Sequence, residues 1–245
     1  MGKIDELNNL LDGKSAEEIL KYFSDEYGNE LAFATSFSIE DQVITHLLVS
    51  LKSPAKIFTL DTGRLPAETY KLIEKTIDEY GKKIEIYFPD YKLVEEMVHQ
   101  KGINLFYNSV EDRKYCCHVR KIEPLKRALK NTKAWIAGLR REQAVTRGNI
   151  NIAEYDENFS IIKINPLYNW TEEQVWDYIS KNNIPYNQLY KQNYRSIGCA
   201  PCTRPVQEGG SVRDGRWWWE NPDTKECGLH IKPIPNPSQR EGLLN

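Results

Sequence analysis

The sequence predicts an α/β protein in which helices cover both faces of a parallel sheet. Apolar runs of four or five residues alternate with amphipathic helical segments of nine residues or more. The first two runs are each followed by a loop rich in hydroxyl or charged side chains. Strands that alternate with helices form parallel sheets, and ligands bind such sheets at the carboxyl ends of the strands. We therefore expect a ligand site at these loops.

The predicted elements follow one another in regular order. Ser15-Ala16-Glu17-Glu18 is a capping box, which starts a helix ending near Tyr27 within an N-terminal helical segment of about residues 1–28. Apolar runs of this length are typical of buried strands, and we expect strands at 31–35, 56–60, 84–88, 133–137 and 161–164. Further helices are expected at about 41–51, 67–80, 93–101 and 172–181.

Nothing in the sequence divides the chain into two domains, so we expect one α/β domain over residues 1–227. Prolines at 233, 235 and 237 predict an extended, mobile tail over 228–245. The chain contains neither an apolar run of membrane-spanning length nor an apolar signal-peptide core, which favours a cytoplasmic protein. With 33 Lys+Arg against 35 Asp+Glu, the overall charge gives no reason to expect nucleic acid or a membrane as partner.

The five cysteines are the most informative residues. Cys116-Cys117 and Cys199-x-x-Cys202 form two short-range pairs, which suggests a metal or cluster site. Adjacent cysteines would strain a single tetrahedral zinc, whereas a [4Fe–4S] cluster distributes its ligands over four irons. The pattern favours the cluster, with a zinc site or buried thiols as alternatives.

The fifth cysteine, Cys227, lies between Glu226 and Gly228, close to the proline-rich tail. An exposed thiol near cations suits a nucleophile, although a bystander cysteine fits the sequence equally well. His230 either orients a group near Cys227 or is an ordinary surface histidine.

Positive charge is concentrated in residues 113–147, which contain eleven Lys+Arg and two acids. Some of these cations lie on a solvated helix face, and others lie beside the cysteines or just after the strand at 133–137. The latter suit a small polyanion such as a phosphate or sulfate. The loop Ser36–Asp41 opens a helix and is either an anion site or simply an N-cap formed by Ser38.

Seven segments together resemble the assimilatory adenylyl-sulfate (APS) reductases within the APS/PAPS reductase family. They occur in the family's order between residues 35 and 230, and as a set they are highly specific. The segments are Thr35-Ser36-Phe37-Ser38-Ile39-Glu40-Asp41, Leu60-Asp61-Thr62-Gly63-Arg64, Cys116-Cys117-His118-Val119-Arg120-Lys121, Gly138-Leu139-Arg140-Arg141-Glu142-Gln143, Cys199-Ala200-Pro201-Cys202-Thr203-Arg204-Pro205, Arg213-Asp214-Gly215-Arg216-Trp217-Trp218-Trp219-Glu220 and Glu226-Cys227-Gly228-Leu229-His230.

The resemblance implies an adenine nucleotide alpha hydrolase-like fold and reduction of adenosine 5′-phosphosulfate to sulfite and AMP, with thioredoxin as reductant. It implies one [4Fe–4S] cluster per subunit, held by Cys116, Cys117, Cys199 and Cys202. Cys227 would be the nucleophile and form a thiosulfonate, assisted by Lys121 and His230. By the same resemblance, the substrate would be bound by Ser36, Phe37, Ser38, Asp41, Leu60, Arg64, Arg120, Arg140, Arg213 and Arg216. A homo-oligomer is also expected.

Three other functions remain as alternatives. The first is reduction of PAPS, alone or together with APS, although all four cluster cysteines favour APS. The second is an ATP pyrophosphatase-type enzyme of the same fold class, but Ser36–Gln42 lacks the glycine pair and the final serine typical of that loop. The third is a zinc-stabilised module that binds RNA through residues 113–147, which the net charge of −2 disfavours.

Overall fold

The structure is a computed structural model that describes residues 2–143, 147–221 and 225. Its strands are β1 (Leu31–Ala34), β2 (Lys56–Leu60), β3 (Glu85–Tyr87), β4 (Ala134–Ile136), β5 (Ala153–Asp156) and β6 (Ile161–Ile164). Its helices are α1 (Lys3–Leu11), α2 (Ala16–Tyr27), α3 (Ile39–Ser50), α4 (Ala67–Tyr80), α5 (Tyr91–Lys101), α6 (Val110–Cys117), α7 (Glu123–Ala128) and α8 (Glu172–Lys181). The predicted α/β class is confirmed.

The strands form one sheet in the order β3-β2-β1-β4-β6-β5. All neighbours pair in parallel except β5, which pairs antiparallel with β6. Strand β5 was not predicted, because this edge strand has no apolar run and leaves Tyr155 56% exposed. Asn8 of α1 anchors β5, since its side chain exchanges two hydrogen bonds of 2.9 Å with the backbone of Ala153.

The predicted boundaries of β2, α4, β6 and α8 match the structure, whereas three strands are shorter than expected. Helix α3 begins at Ile39 because the Ser38 hydroxyl accepts a hydrogen bond from the Asp41 amide, at 3.2 Å. Helix α1 lies within the helical segment expected at about residues 1–28, and the short helices α6 and α7 were not predicted. A π-helical turn, His118–Ile122, connects α6 to α7.

The chain order of the strands determines where a ligand can bind. From β1 the chain moves outward through β2 to β3, and it then returns to the other side of β1 to form β4. The strand order therefore reverses between β1 and β4, and a crevice opens at their carboxyl ends. In the described part of the chain, no helix is both long and apolar enough to cross a membrane.

Candidate active site

A cleft with a cavity volume of about 210 Å³ occupies this position at the carboxyl ends of the strands. Of the residues predicted to bind nucleotide, Ser36, Ser38, Asp41 and Leu60 line it, and of the predicted cations, Lys121, Arg213 and Arg216 line it. The cleft thus combines a hydroxyl-rich loop with a group of cations, as a nucleotide with an anionic substituent requires.

The serine loop is held in shape from within. The Asp41 carboxylate accepts hydrogen bonds from the Ser36 amide at 2.6 Å and from the Ser36 hydroxyl at 2.7 Å. Between the two serines, Phe37 adopts a positive φ of 60° and buries its ring in the core, with 2% exposed. Phe37 therefore anchors the loop from below, and its side chain lies outside the cleft lining. A positive φ in so bulky a residue is a strained conformation that the surrounding core maintains.

The buried Asp41 carboxyl has an unusual pKa. Burial, together with the charge of the neighbouring Glu40, raises the pKa of Asp41 to about 6. The hydrogen bonds from Ser36 and Ser38 lower the pKa, but their effect is smaller. Asp41 also lies so close to Gly138, after β4, that a Cβ atom there would stand 2.2 Å from Oδ1. A glycine at position 138 is what allows β4 to approach the serine loop.

We expect Asp41 to make the stability of the fold depend on pH. The pKa of Asp41 is ~3.9 in the unfolded chain and about 6 in the folded protein. At pH values between these two, the folded state binds more protons than the unfolded chain, so stability falls as pH rises. Asp41→Asn should therefore gain stability relative to wild type, by about 2–3 kcal/mol between pH 4 and pH 7. Urea unfolding at several pH values measures this gain. Glu95→Gln, on the exposed side of α5, is the control, and an Asp41→Asn difference that does not vary with pH would contradict the prediction.

Arg140, which the family resemblance assigns to the substrate, lies outside the cleft lining. Its guanidinium is buried, with Nε and Nη2 each 2.9 Å from Glu40 Oε1, and Nη1 donates to the Trp170 carbonyl at 3.2 Å. The Arg140–Glu40 ion pair connects the start of α3 to the segment after β4. Its proposed contact with the phosphosulfate would require this ion pair to rearrange.

The structure adds two cations that sequence reasoning did not select, Arg147 and Arg195, both of which line the cleft. Arg195 donates to Glu172 at 2.7 Å and to the Gly210 carbonyl at 2.8 Å, and Arg147 contacts Gln143. Gln143, Trp135 and Tyr190 also line the cleft. In the sequence, Arg147 is only one charge of the basic stretch at 113–147, and Arg195 and Tyr190 lie in an irregular region without a motif.

Arg216 lies directly against the backbone of Gly198. A Cβ atom on Gly198 would stand 2.4 Å from Nη2 and 2.6 Å from Cζ of the guanidinium. Arg216 Nε also donates to the Cys202 carbonyl at 3.3 Å. The position of the Arg216 guanidinium in the cleft therefore requires a glycine, which has no side chain, at position 198.

We expect Gly198→Ala to displace the Arg216 guanidinium while leaving the fold intact. The clash is with the end of a flexible side chain, so the free energy of unfolding should change by less than about 1 kcal/mol. ADP, a nucleotide with an anionic end, is the probe. Its affinity should fall about 10-fold, because the charged contact between its phosphate and Arg216 would be lost and such a contact is worth about 1.5 kcal/mol. Calorimetric titration with ADP and with adenosine measures the effect, and an equal loss for both ligands would refute displacement of an anion-binding group.

The four paired cysteines line a second cavity beside the cleft, together with Arg64, Phe106, Arg113, Arg120, Lys121 and Pro201. None of the four thiols is in a disulfide. Burial raises the pKa of Cys116 and, to about 12, that of Cys202. The donors in this lining are thiols without carboxylates or imidazoles, which is the ligand chemistry of soft metals and iron–sulfur clusters. Among the described residues, no group of three or more His, Cys, Asp or Glu has the arrangement that would hold a metal ion.

Arg64 and Arg120 belong to the cysteine cavity and do not line the cleft. Arg120 Nη1 donates to the Thr62 carbonyl at 2.7 Å. Arg64 donates to the Ile103 carbonyl at 3.0 Å and lies over the Phe106 ring. The Thr62 hydroxyl is 3.2 Å from Cys199 Sγ. Arg120 therefore holds the turn after β2 against the segment that follows Cys117, and Thr62 holds it against Cys199. Their role in substrate binding stays a prediction.

Cys227 and His230 lie outside the described residues, as does the tail at 228–245. The nearest described residue is Lys225, whose carbonyl accepts a hydrogen bond of 2.8 Å from Arg213 Nη2. Because Arg213 lines the cleft, the chain that leads to Cys227 is held at the cleft two residues earlier.

A family model described as the phosphoadenosine phosphosulfate reductase domain matches residues 30–205. An adenosine 5′-phosphosulfate reductase from Allochromatium vinosum is 52% identical over 202 residues, which cover 82% of this chain and 79% of that protein. A protein of the same name from Burkholderia cepacia is 49% identical, with 87% of this chain and 86% of that protein covered.

Two solved structures are similar to this chain, one in sequence and fold and the other in fold. The phosphate complex of a phosphoadenylyl-sulfate reductase from Candida auris has a TM-score of 0.71 and 32% identity, and covers 84% of this chain and 98% of that chain. FMN adenylyltransferase from Candida glabrata, bound to ATP, has a TM-score of 0.56 at 17% identity and covers 98% of this chain and 78% of that chain. The second likeness concerns the fold alone.

Proposed function

Since the chain belongs to the phosphoadenosine phosphosulfate reductase family of oxidoreductases, we propose that it reduces adenosine 5′-phosphosulfate to sulfite and AMP, with thioredoxin as the reductant. One observation carries the proposal: the nucleotide-type cleft and the four-cysteine cavity are adjacent and share Lys121 and Cys199 in their linings. A phosphosulfate bound with its adenosine at the serine loop would direct its sulfate toward the cations near the cysteines.

In this mechanism the Cys227 thiolate attacks the sulfur atom of the sulfate group. A sulfur–sulfur bond forms, the bond from sulfur to the bridging oxygen breaks, and AMP leaves with that electron pair. Arg213, Arg216 and Lys121 would offset the repulsion between two anions and stabilise the charge that develops on the oxygens. Such contacts accelerate the step only if they strengthen in the transition state.

Thioredoxin completes the reaction. One of its thiolates attacks the Cys227 sulfur, sulfite leaves with the electron pair of the sulfur–sulfur bond, and a mixed disulfide forms. The second thioredoxin thiol attacks the thioredoxin sulfur of this mixed disulfide and returns Cys227 as a thiolate. The dithiol supplies both electrons, so none has to come from a metal centre.

We propose that Cys116, Cys117, Cys199 and Cys202 hold a [4Fe–4S] cluster. Four thiols line their cavity without a carboxylate or an imidazole among its described residues. This supports the assignment, because thiolates are the usual ligands of such clusters. When bound, the cluster would supply a fixed charged group beside Lys121. A brown protein with a broad absorbance shoulder near ~400 nm after anaerobic preparation is expected, and a colourless zinc-loaded protein would overturn the assignment.

APS, as distinct from PAPS, is the proposed substrate because the two curated relatives described above carry that name at 49–52% identity. The solved reductase with a PAPS name is 32% identical, so use of PAPS, alone or together with APS, is the second candidate. Steady-state rates on both compounds decide between them: we expect a higher kcat/KM for APS, and a preference for PAPS would overturn the proposal. The cytoplasmic location, homo-oligomer and single domain over 1–227 stay predictions.

A further inference from the structure

We infer that Trp217 is a positioning residue that holds the two arginines of the cleft, Arg213 and Arg216, in place for an anion. The inference rests on the proposed function, because it assigns the means by which the anion end of the same site is preorganised. Trp217 itself is not among the residues that line the cleft, so it would act through its neighbours.

Three guanidinium groups surround the Trp217 indole. The Cζ atoms of Arg113 and Arg216 each lie 4.6 Å from the ring centroid, and that of Arg213 lies 5.6 Å away. A guanidinium within about 6 Å of a tryptophan ring is attracted by the negative face of the ring. The π face of the indole thus attracts three like charges, and the indole itself carries no negative charge that would repel a bound anion.

A carboxylate, that of Glu220, pairs with Arg113, which lines the cysteine cavity and not the cleft. Glu220 accepts two hydrogen bonds from Arg113, at 2.9 and 2.8 Å, and both side chains are almost fully buried. Arg113 lines the cysteine cavity, whereas Arg213 and Arg216 line the cleft. This arrangement leaves the carboxylate on the cysteine side and directs two positive groups toward the substrate.

Backbone strain at Trp217 points to the same role. Its φ is 40°, a rare conformation for a bulky residue, and only 1% of its surface is exposed. Its amide is 3.4 Å from the Cys202 carbonyl, and its carbonyl accepts a hydrogen bond from the Glu220 amide at 2.8 Å. Strain of this kind persists where surrounding contacts impose it, often at functional sites. The strained backbone of Trp217 is consistent with a residue whose ring must lie between the surrounding arginines.

The test compares ligands that differ only at the anionic end. Adenosine lacks an anion, whereas ADP carries a second phosphate where APS carries its sulfate, and neither ligand needs a reductant. Dissociation constants for both are measured on the full chain as wild type, Trp217→Leu and Trp217→Phe. Trp218→Leu is the matched control, because this neighbouring ring contacts Arg204, which is not in the cleft lining.

For Trp217→Leu we expect ADP affinity to fall about 10-fold, and for Trp217→Phe about 3-fold, since phenylalanine keeps a weaker π face. Adenosine affinity should stay within 2-fold in every variant, and Trp218→Leu should match wild type for both ligands. An unchanged ADP affinity, or an equal loss for adenosine, would overturn the positioning role.

If Trp217→Leu does not fold, Trp217→Phe decides by the same criterion. A wild type that binds adenosine and ADP equally would instead contradict the proposed function, because the cleft would then have no anion site. The two failures are therefore distinguishable.

Discussion

Cys227→Ser is expected to lower sulfite release by about 10⁴-fold or more, as removal of a catalytic nucleophile does in other enzymes. A serine hydroxyl is not ionised at neutral pH, and nothing in the proposed mechanism would deprotonate it. The variant should still bind ADP with wild-type affinity, because the described cleft residues do not depend on the thiol. Loss of turnover with intact binding would separate the chemical step from substrate capture.

The described residue closest in sequence to Cys227 contacts an arginine of the cleft. Arg213 holds the Lys225 carbonyl at 2.8 Å, and two residues of extended chain span at most about 7 Å. Chain connectivity therefore sets an upper limit on the distance between Lys225 and Cys227, and the proposed attack on sulfur requires the thiol to lie within that limit.

Intact-protein mass spectrometry after addition of APS without thioredoxin tests this mechanism directly. Wild type should gain the mass of one SO₃ group on Cys227, and Cys227→Ser should not. Incubation with AMP is the control. An active native enzyme without the adduct, or a serine variant that retains more than about 1% of the wild-type rate, would refute the thiosulfonate mechanism.

Glu220→Gln should destabilise the protein by about 3–5 kcal/mol, because it leaves the Arg113 guanidinium buried beside a neutral amide. Arg113 is fully buried and the Glu220 side chain is 2% exposed, so water cannot replace the lost charge. The pair joins α6, which contains Cys116 and Cys117, to the segment that contains Trp217. Urea unfolding measures the loss.

Asp25→Asn is the control for an exposed ion pair. Lys21 and Asp25 are 63% and 68% exposed, so removing this charge should cost less than about 0.5 kcal/mol. The double variant Arg113→Met/Glu220→Leu should regain most of the stability, since two apolar side chains leave no buried charge unpaired. A Glu220→Gln loss no larger than that of Asp25→Asn would contradict the prediction.

Local sequence signals predicted much of the framework. The capping box at Ser15 places the start of α2 correctly, because an N-cap satisfies backbone groups within one turn of helix. The apolar runs locate the central strands β1 and β4 for a similar reason, since these strands are buried on both faces and such burial demands a continuous run. The edge strand β5 escaped prediction because one of its sides is solvated.

The chemistry of the site was also partly predictable, but the roles of individual cations were not. Sequence alone identified the serine loop, the two cysteine pairs and the arginines near Trp217. It could not determine that Arg140 pairs with Glu40, or that Arg147 and Arg195 line the cleft. A charged side chain is long, and its partner can be 100 positions away in the chain, as for Arg140 and Glu40, or 107, as for Arg113 and Glu220.

The sequence by itself therefore determined the fold class, the family and the residue types of the site, because these depend on local period, spacing and motif. Only the tertiary structure decided which cations face the cleft and which are neutralised beneath it. That decision depends on contacts between distant segments, such as Gly198 against Arg216 and Trp217 among three arginines. A buried charge without a partner has a large desolvation cost, so each cation either pairs with a protein group or lies where a ligand anion can pair with it.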